Sequence, residues 1–189
     1  MKIILGTASK QRRRVFEQMG YKDFEVLTAD IDEKTIRLEN PEELTIALAK
    51  AKAAALLKRI SEPAILITAD QVIEWNGIIR EKPEDEIQVR EYLSTYYKAP
   101  AKIVNGVVAT NTQTGKQAWG NDSTIVVFKQ IPDNVITHII EDGRLFSWAG
   151  AFAVEDPLFT PYIDRVKGTE GSSRGLPIAL TEKLINEVG

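Results

Sequence analysis

The residues that could do chemistry are charged, and they gather at a few points along the chain. Ser9-Lys10-Gln11-Arg12-Arg13 falls between a strand-like opening and a helical segment. A hydroxyl, the free N–H groups of a helix start and guanidinium forks together make a cradle for a phosphate group. A solvated basic turn is the plain alternative. Residues 1–20 hold Lys2, Lys10, Arg12, Arg13 and Arg14 against the single acid Glu17, within a chain whose net charge is −3. A local positive patch in a mildly acidic protein suits a small phosphorylated ligand and argues against long nucleic acid. Neither a Gly-x-x-x-x-Gly-Lys-[Ser/Thr] loop nor a Gly-x-Gly-x-x-Gly turn is present.

Acidic residues form the second group. Asp30, Asp32 and Glu33 follow one strand-like run, and Asp70 ends another, Ala64–Ala69. Carboxylates at the carboxyl ends of neighbouring strands converge on the ligand-binding edge of an α/β sheet, where they suit Mg²⁺ or Mn²⁺. For Asp30 and Asp32, polar turn chemistry explains the residues as well. Lys52 lies in a helical stretch with Leu48, Ala49, Ala55 and Leu56 at i±3 and i±4, and so needs a partner, an anionic ligand or a route to solvent. Lys50 has equally apolar neighbours, so periodicity does not separate the two. Pro83 holds Lys82 extended, able to project into a cleft.

Other chemistries are excluded. The chain has no cysteine and one histidine, which removes disulfides, zinc–thiolate sites, thiol nucleophiles and histidine-rich metal sites. His138 reads as a partly buried or surface residue, and no Gly-x-Ser-x-Gly elbow accompanies it. Trp75, Trp119 and Trp148 are dispersed and read as packing residues.

Elements able to position these residues alternate between strand and helix. Strands are expected at Ile3–Leu5, Phe24–Thr28 and Ala64–Ala69, with a hairpin of Val72–Trp75 and Ile78–Arg80 about Asn76-Gly77. Further strands are expected at Lys102–Ala109 and Ser123–Phe128. Helices are expected from about Arg12 to Met19, from Asn40-Pro41-Glu42-Glu43 to Arg59, from Glu84 to about Leu93, over Asp133–Ile140, and from Pro177 to Val188. Parallel units early and antiparallel strands later predict an α/β fold with a mixed sheet, one domain of two lobes without a linker.

At 189 residues, 43% hydrophobic and 27% charged, the chain is large enough for a core and too apolar for disorder. It has no apolar run of membrane-spanning length, and MKIILGT lacks the pattern of a signal peptide. A soluble, cytoplasmic protein is expected, and Asn121-Asp122-Ser123 is then a chance match to a glycosylation acceptor.

The ordered set Leu5–Arg13, Asp30-Ile31-Asp32-Glu33, Ala51-Lys52-Ala53, Ala69-Asp70-Gln71-Val72, Lys82-Pro83, Ala149-Gly150-Ala151-Phe152 and Gly175-Leu176-Pro177 resembles the Maf family of nucleoside triphosphate pyrophosphatases. The resemblance implies a fold of the inosine-triphosphate-pyrophosphatase type with a cleft between two lobes, and often a homodimer. It implies hydrolysis of a nucleoside triphosphate to its monophosphate and pyrophosphate with a divalent metal, Mg²⁺ or Mn²⁺. By motif position, Ser9, Arg12 and Arg13 match the phosphate-binding block, and Glu33, Lys52, Asp70 and Lys82 match the charged active-site set. Glu33 and Asp70 are the implied metal ligands, and Asp70 is the family's usual general base. Lys10-Gln11 stands where Pro-Arg is usual. Gln71 and Glu155 stand where many members have Thr and Gln, as in the branch associated with 7-methylguanosine triphosphate. A non-catalytic, nucleotide-binding regulator of cell division, acting through protein partners, is the competing reading.

Overall fold

The computed structural model describes residues 1–189 as a mixed α/β fold. In chain order the elements are β1 (Lys2–Gly6), α1 (Lys10–Gln18), β2 (Glu25–Leu27), a 3₁₀ turn (Glu33–Thr35), α2 (Pro41–Leu57), β3 (Ala64–Trp75) and β4 (Ile78–Arg80). They continue with α3 (Glu86–Thr95), β5 (Ala101–Asn111), β6 (Gln117–Phe128), α4 (Asp133–Asp142), β7 (Ile163–Lys167), the short α5 (Glu170–Ser173) and α6 (Ile178–Val188). The strands make one seven-stranded sheet in the order β2-β1-β3-β5-β6-β7, with β4 also on β3. β1 is parallel to β2 and β3, whereas β4 runs antiparallel to β3 and β7 to β6. The expected mixed α/β class is what the chain adopts. No helix is long and apolar enough to cross a membrane.

The chain divides into two compact units; three of the four divisions fall inside β3, β5 and β6, and the fourth between β7 and α5. The first comprises residues 1–71, 105–122 and 170–189. β1 from Ile4 to Gly6 and β3 from Ala64 to Asp70 are buried on both faces, as central parallel strands require. Alternation along β3 sorts its side chains: Ile65, Ile67 and Ala69 pack with Val15 and Phe16 of α1 and Leu184 of α6, while Ala64 and Leu66 pack with Ala53 and Leu56 of α2. Thr68 keeps that second register by donating its hydroxyl to Ala49 O of α2 at 2.8 Å. A Cβ on Gly106 of β5 would lie 2.6 Å from the Thr45 carbonyl carbon, so α2 packs directly on the β5 backbone.

The second unit comprises residues 72–104 and 123–169. Its core is aromatic: Tyr96, Phe128 and Phe152 have ring centroids 5.0–5.2 Å apart, with Phe159 beside Phe152. Trp75 and Trp148 pack against this cluster.

Four expectations change. Ala64–Ala69 and Val72–Trp75 form one continuous strand, so Asp70 lies within β3 and does not end a strand. The apolar run stops at Ala69, but the hydrogen-bonded ladder continues. β6 begins at Gln117, six residues before the expected Ser123, because a segment of low strand propensity (Gly120-Asn121-Asp122) is held by its neighbours. β7 carries no expected signal, since its residues are mostly exposed. α3 starts at Glu86, where the Asp85 side chain caps Gln88 N–H at 2.8 Å. His138 is exposed, 3.6 Å from Glu141.

Candidate active site

Alternation along β3 also decides where its polar residues point. Asp70 follows Leu66 and Thr68 onto the α2 face, and there Lys52 reaches it. Lys52 Nζ lies 2.5 Å from Asp70 Oδ1 and 2.8 Å from Glu33 Oε1. The Asp70 side chain is 9% exposed and Lys52 14%, whereas Glu33 is 47% exposed. One ammonium therefore joins a buried carboxylate to a solvent-facing one. Lys50, two residues earlier on the same helix, instead places Nζ 3.3 Å from the centre of the Trp119 ring.

Gln71 points to the opposite face, where its side-chain amide donates to Ser173 O at 3.4 Å. Arg12 occupies the same side. Its Nη1 donates to Ala69 O at 2.7 Å and its Nε to Gly175 O at 3.0 Å. Two donors of the expected phosphate fork are thus engaged by the protein's own carbonyls, beside the strand position that carries Asp70. Burial lowers the pKa of the Arg12 guanidinium, and the Asp70 and Glu33 carboxylates act in the opposite direction.

Ser9 caps α1, its hydroxyl accepting from Arg12 N–H at 3.3 Å, and Thr7 Oγ1 accepts from Ser9 N–H at 3.1 Å. The first turn of α1 contains no acid and carries Lys10, Arg12 and the exposed Arg13. Basic residues at a helix start oppose the helix dipole, so this positive end is shaped for an anion at some cost to the helix. Asp32 has a local role: its carboxylate accepts from Lys34 N–H at 3.1 Å and starts the 3₁₀ turn that carries Glu33. Lys82 and Glu155 belong to the second unit, Lys82 exposed two residues after the end of β4 and Glu155 half-buried beside Asp156. Asp156 is held by Arg144 Nη1 at 2.6 Å.

Nothing in the residue pattern signals the polar set behind Gly175. Buried Asn105 donates through Nδ2 to Ser172 O at 2.8 Å, and the Ser172 hydroxyl bonds Asp122. These contacts fix the turn whose carbonyls receive Arg12 and Gln71. Asn121 donates its amide to Glu42 O, Thr45 Oγ1 and Asn105 O, each at 3.1 Å, a structural role for the residue of the apparent glycosylation acceptor.

The family model described as Maf-like protein matches residues 2–188. The chain belongs to the Maf-like family. A 7-methyl-GTP pyrophosphatase of Dictyostelium discoideum is 43% identical to this Maf-like chain, over 98% of the chain and 96% of the relative. A dTTP/UTP pyrophosphatase of Clostridium perfringens is 31% identical over 94% and 92%. Among solved structures, a nucleoside-triphosphatase (dITP/XTP pyrophosphatase) of Mycobacterium abscessus aligns with a TM-score of 0.45 and 11% identity, covering 99% of this chain and 96% of that one.

No group of three or more His, Asp or Glu side chains is placed to cage a metal ion. The Maf-like site instead offers two carboxylates, Glu33 and Asp70, already drawn to one cation, the Lys52 ammonium. Two hard oxygen ligands match Mg²⁺ or Mn²⁺ when water and substrate phosphates complete the coordination shell.

Proposed function

We propose that this Maf-like chain is a nucleoside triphosphate pyrophosphatase that converts a nucleotide to its monophosphate and pyrophosphate. The observation that carries the reading is the pair of carboxylates on one ammonium, Asp70 and Glu33 on Lys52, in the unit that also carries the cationic start of α1. A triphosphate repels any nucleophile until its charge is neutralised. Lys10, Arg13 and the N-terminal N–H groups of α1 bind phosphate oxygens. Arg12, clamped by two carbonyls, holds the cradle against β3. Lys52 fixes Asp70 through Oδ1, and Asp70 takes the proton of the attacking water at Oδ2. Water's oxygen bonds to the α-phosphorus, the α–β bridging bond breaks, and pyrophosphate leaves with the bond's electrons. Lys10 and Arg13 also stabilise the departing charge. Glu33 and Asp70 would hold Mg²⁺ or Mn²⁺, whose chemistry there is to neutralise the phosphates and polarise the phosphoryl oxygens.

The nucleotide proposed is 7-methyl-GTP. This rests on 43% identity to the 7-methyl-GTP pyrophosphatase against 31% to the dTTP/UTP enzyme, together with Gln71 and Glu155 as the branch-matching residues. The working form proposed is a cytoplasmic homodimer, whose mass sedimentation would give directly.

The test is a panel of 7-methyl-GTP, GTP, dTTP and UTP with Mg²⁺ or Mn²⁺, assayed for pyrophosphate. The highest kcat/KM is expected with 7-methyl-GTP, and chelation should stop turnover. Nucleotide binding without pyrophosphate release from any member would overturn the reading in favour of a non-catalytic regulator.

A further inference from the structure

One buried side chain on β5 ties the turn that grips Arg12 to the helix that carries Lys52. The turn begins where α5 ends. Leu176 N–H donates to Gly171 O at 2.9 Å and Gly175 N–H to Ser172 O at 3.1 Å, the two bonds of a Schellman motif. Gly175 takes its left-handed position, with φ +88°. Glycine is needed there twice over. A side chain would be strained at that φ, and its Cβ would meet Arg12 Nε at 3.0 Å and Gln71 Oε1 at 3.5 Å. Arg12 and Gln71 both close on this one residue.

Asn105 holds the turn from the sheet. It is fully buried, and its Nδ2 donates to Ser172 O at 2.8 Å and to Ser172 Oγ at 3.1 Å. The Ser172 carbonyl thus receives two donors, Gly175 N–H from the turn and Asn105 Nδ2 from β5. Asn105 Oδ1 is buried without a hydrogen-bond partner, so every polar contact of this side chain goes to Ser172. Burying an unpaired acceptor costs stability, a cost that an apolar residue would not carry. The Asn105 backbone is itself pinned to α2. Its carbonyl accepts from Asn121 Nδ2 at 3.1 Å, and the same amide reaches Thr45 Oγ1.

We infer that Asn105 is a positioning residue for the cationic start of α1. Asn105 fixes the Ser172 carbonyl, that carbonyl fixes Gly175, and Gly175 O takes Arg12 Nε at 3.0 Å. The first turn of α1, with Lys10 and Arg13, is therefore held in one place before an anion arrives. The inference rests on the proposed pyrophosphatase reading, in which that turn receives the substrate's phosphates. A receptor ordered in advance binds more tightly, because less freedom is lost on binding.

Asn105→Ala removes the amide. The experiment titrates inorganic tripolyphosphate by calorimetry into wild type, Asn105→Ala, Arg12→Ala and the double variant, with melting temperatures and pyrophosphate release from the nucleotide panel alongside. Asn105→Ala is expected to raise the tripolyphosphate Kd about tenfold, as loss of one hydrogen bond would. In the Arg12→Ala background the same substitution should cost less than about twofold, because residues acting through one another are not additive. Asn111→Ala is the control. Asn111 is also buried on β5 and also donates Nδ2 to a carbonyl at a helix end, Val188 O at 2.9 Å, but that helix is α6. It should lower the melting temperature and leave the Kd within about twofold. An unchanged Kd in folded Asn105→Ala, an equal penalty with and without Arg12, an equal loss in Asn111→Ala, or a wild type that does not bind tripolyphosphate overturns the inference. Pyrophosphate release by the wild type judges the pyrophosphatase reading separately: its absence ends that reading, while the pattern of Kd values still upholds the role of Asn105. If Asn105→Ala does not fold, Asn105→Ser in the same cycle decides by the same criteria.

Discussion

Lys50 and Lys52 sit two residues apart on α2, with nearly interchangeable sequence neighbours, and they meet opposite surroundings. Lys52 points at β3 and is held between two carboxylates, one of them buried. Lys50 rests on the face of Trp119, a ring that is 51% exposed. The first is an ammonium whose charge the interior depends on. The second is a cation covering an aromatic surface. What separates them is the partner that the sheet presents: Asp70, even-numbered on β3 like Leu66 and Thr68, faces α2 and lies within reach of Lys52.

The sharpest way to break this contrast is to remove the carboxylate. Asp70→Asn should lower kcat/KM by about a thousandfold or more, within the range for loss of a general base, with far-ultraviolet circular dichroism unchanged. Turnover close to wild type would place the acid–base work elsewhere. Lys52→Met should lower kcat about a hundredfold. It should also destabilise the fold by about 3 kcal/mol in urea unfolding, since it strands a buried carboxylate. Lys50→Met should leave kcat and KM within about twofold and cost about 0.5–1 kcal/mol of stability, the value of an exposed cation–π contact. If the two lysine variants lose equal stability, the asymmetry drawn from their surroundings is wrong. Ser9→Ala, which uncaps α1 without touching either lysine, should cost about 1 kcal/mol in the same unfolding measurement.

The same pair shows how far a sequence can be read. The spacing of α2 identifies a helix, but apolar residues continue around it (Ile46, Ala47 and Ala54 as well as Leu48, Ala49 and Leu56), so the sequence leaves no single apolar stripe by which to rank the lysines. Motif resemblance selects Lys52, and the structure places it between Glu33 and Asp70. Asp70 is legible as a residue of interest because it interrupts an apolar run. Its position inside the strand is not, since a buried carboxylate paired across to a helix looks like a strand end when only composition is read. Ser9 is legible as a residue at a helix start because capping is local chemistry. The two carbonyls that receive Arg12 are invisible, because backbone acceptors carry no sequence signature. The bond between Asn105 and Ser172 spans 67 positions and leaves no periodic trace. For the same reason the first half of β6 shows no strand signal: Asn121 and Asp122 are poor strand formers held in place by contacts made elsewhere in the fold.

The Arg12 clamp carries a consequence for the protein's synthesis. One guanidinium grips acceptors 57 and 163 residues downstream, the second being Gly175. A ribosome translating this message makes the cationic start of α1 long before it makes the second fastening. A nascent polypeptide therefore holds Glu33, Lys52 and Asp70 well before Arg12 has both acceptors. The second fastening of Arg12 therefore closes only once Gly175 has cleared the exit tunnel.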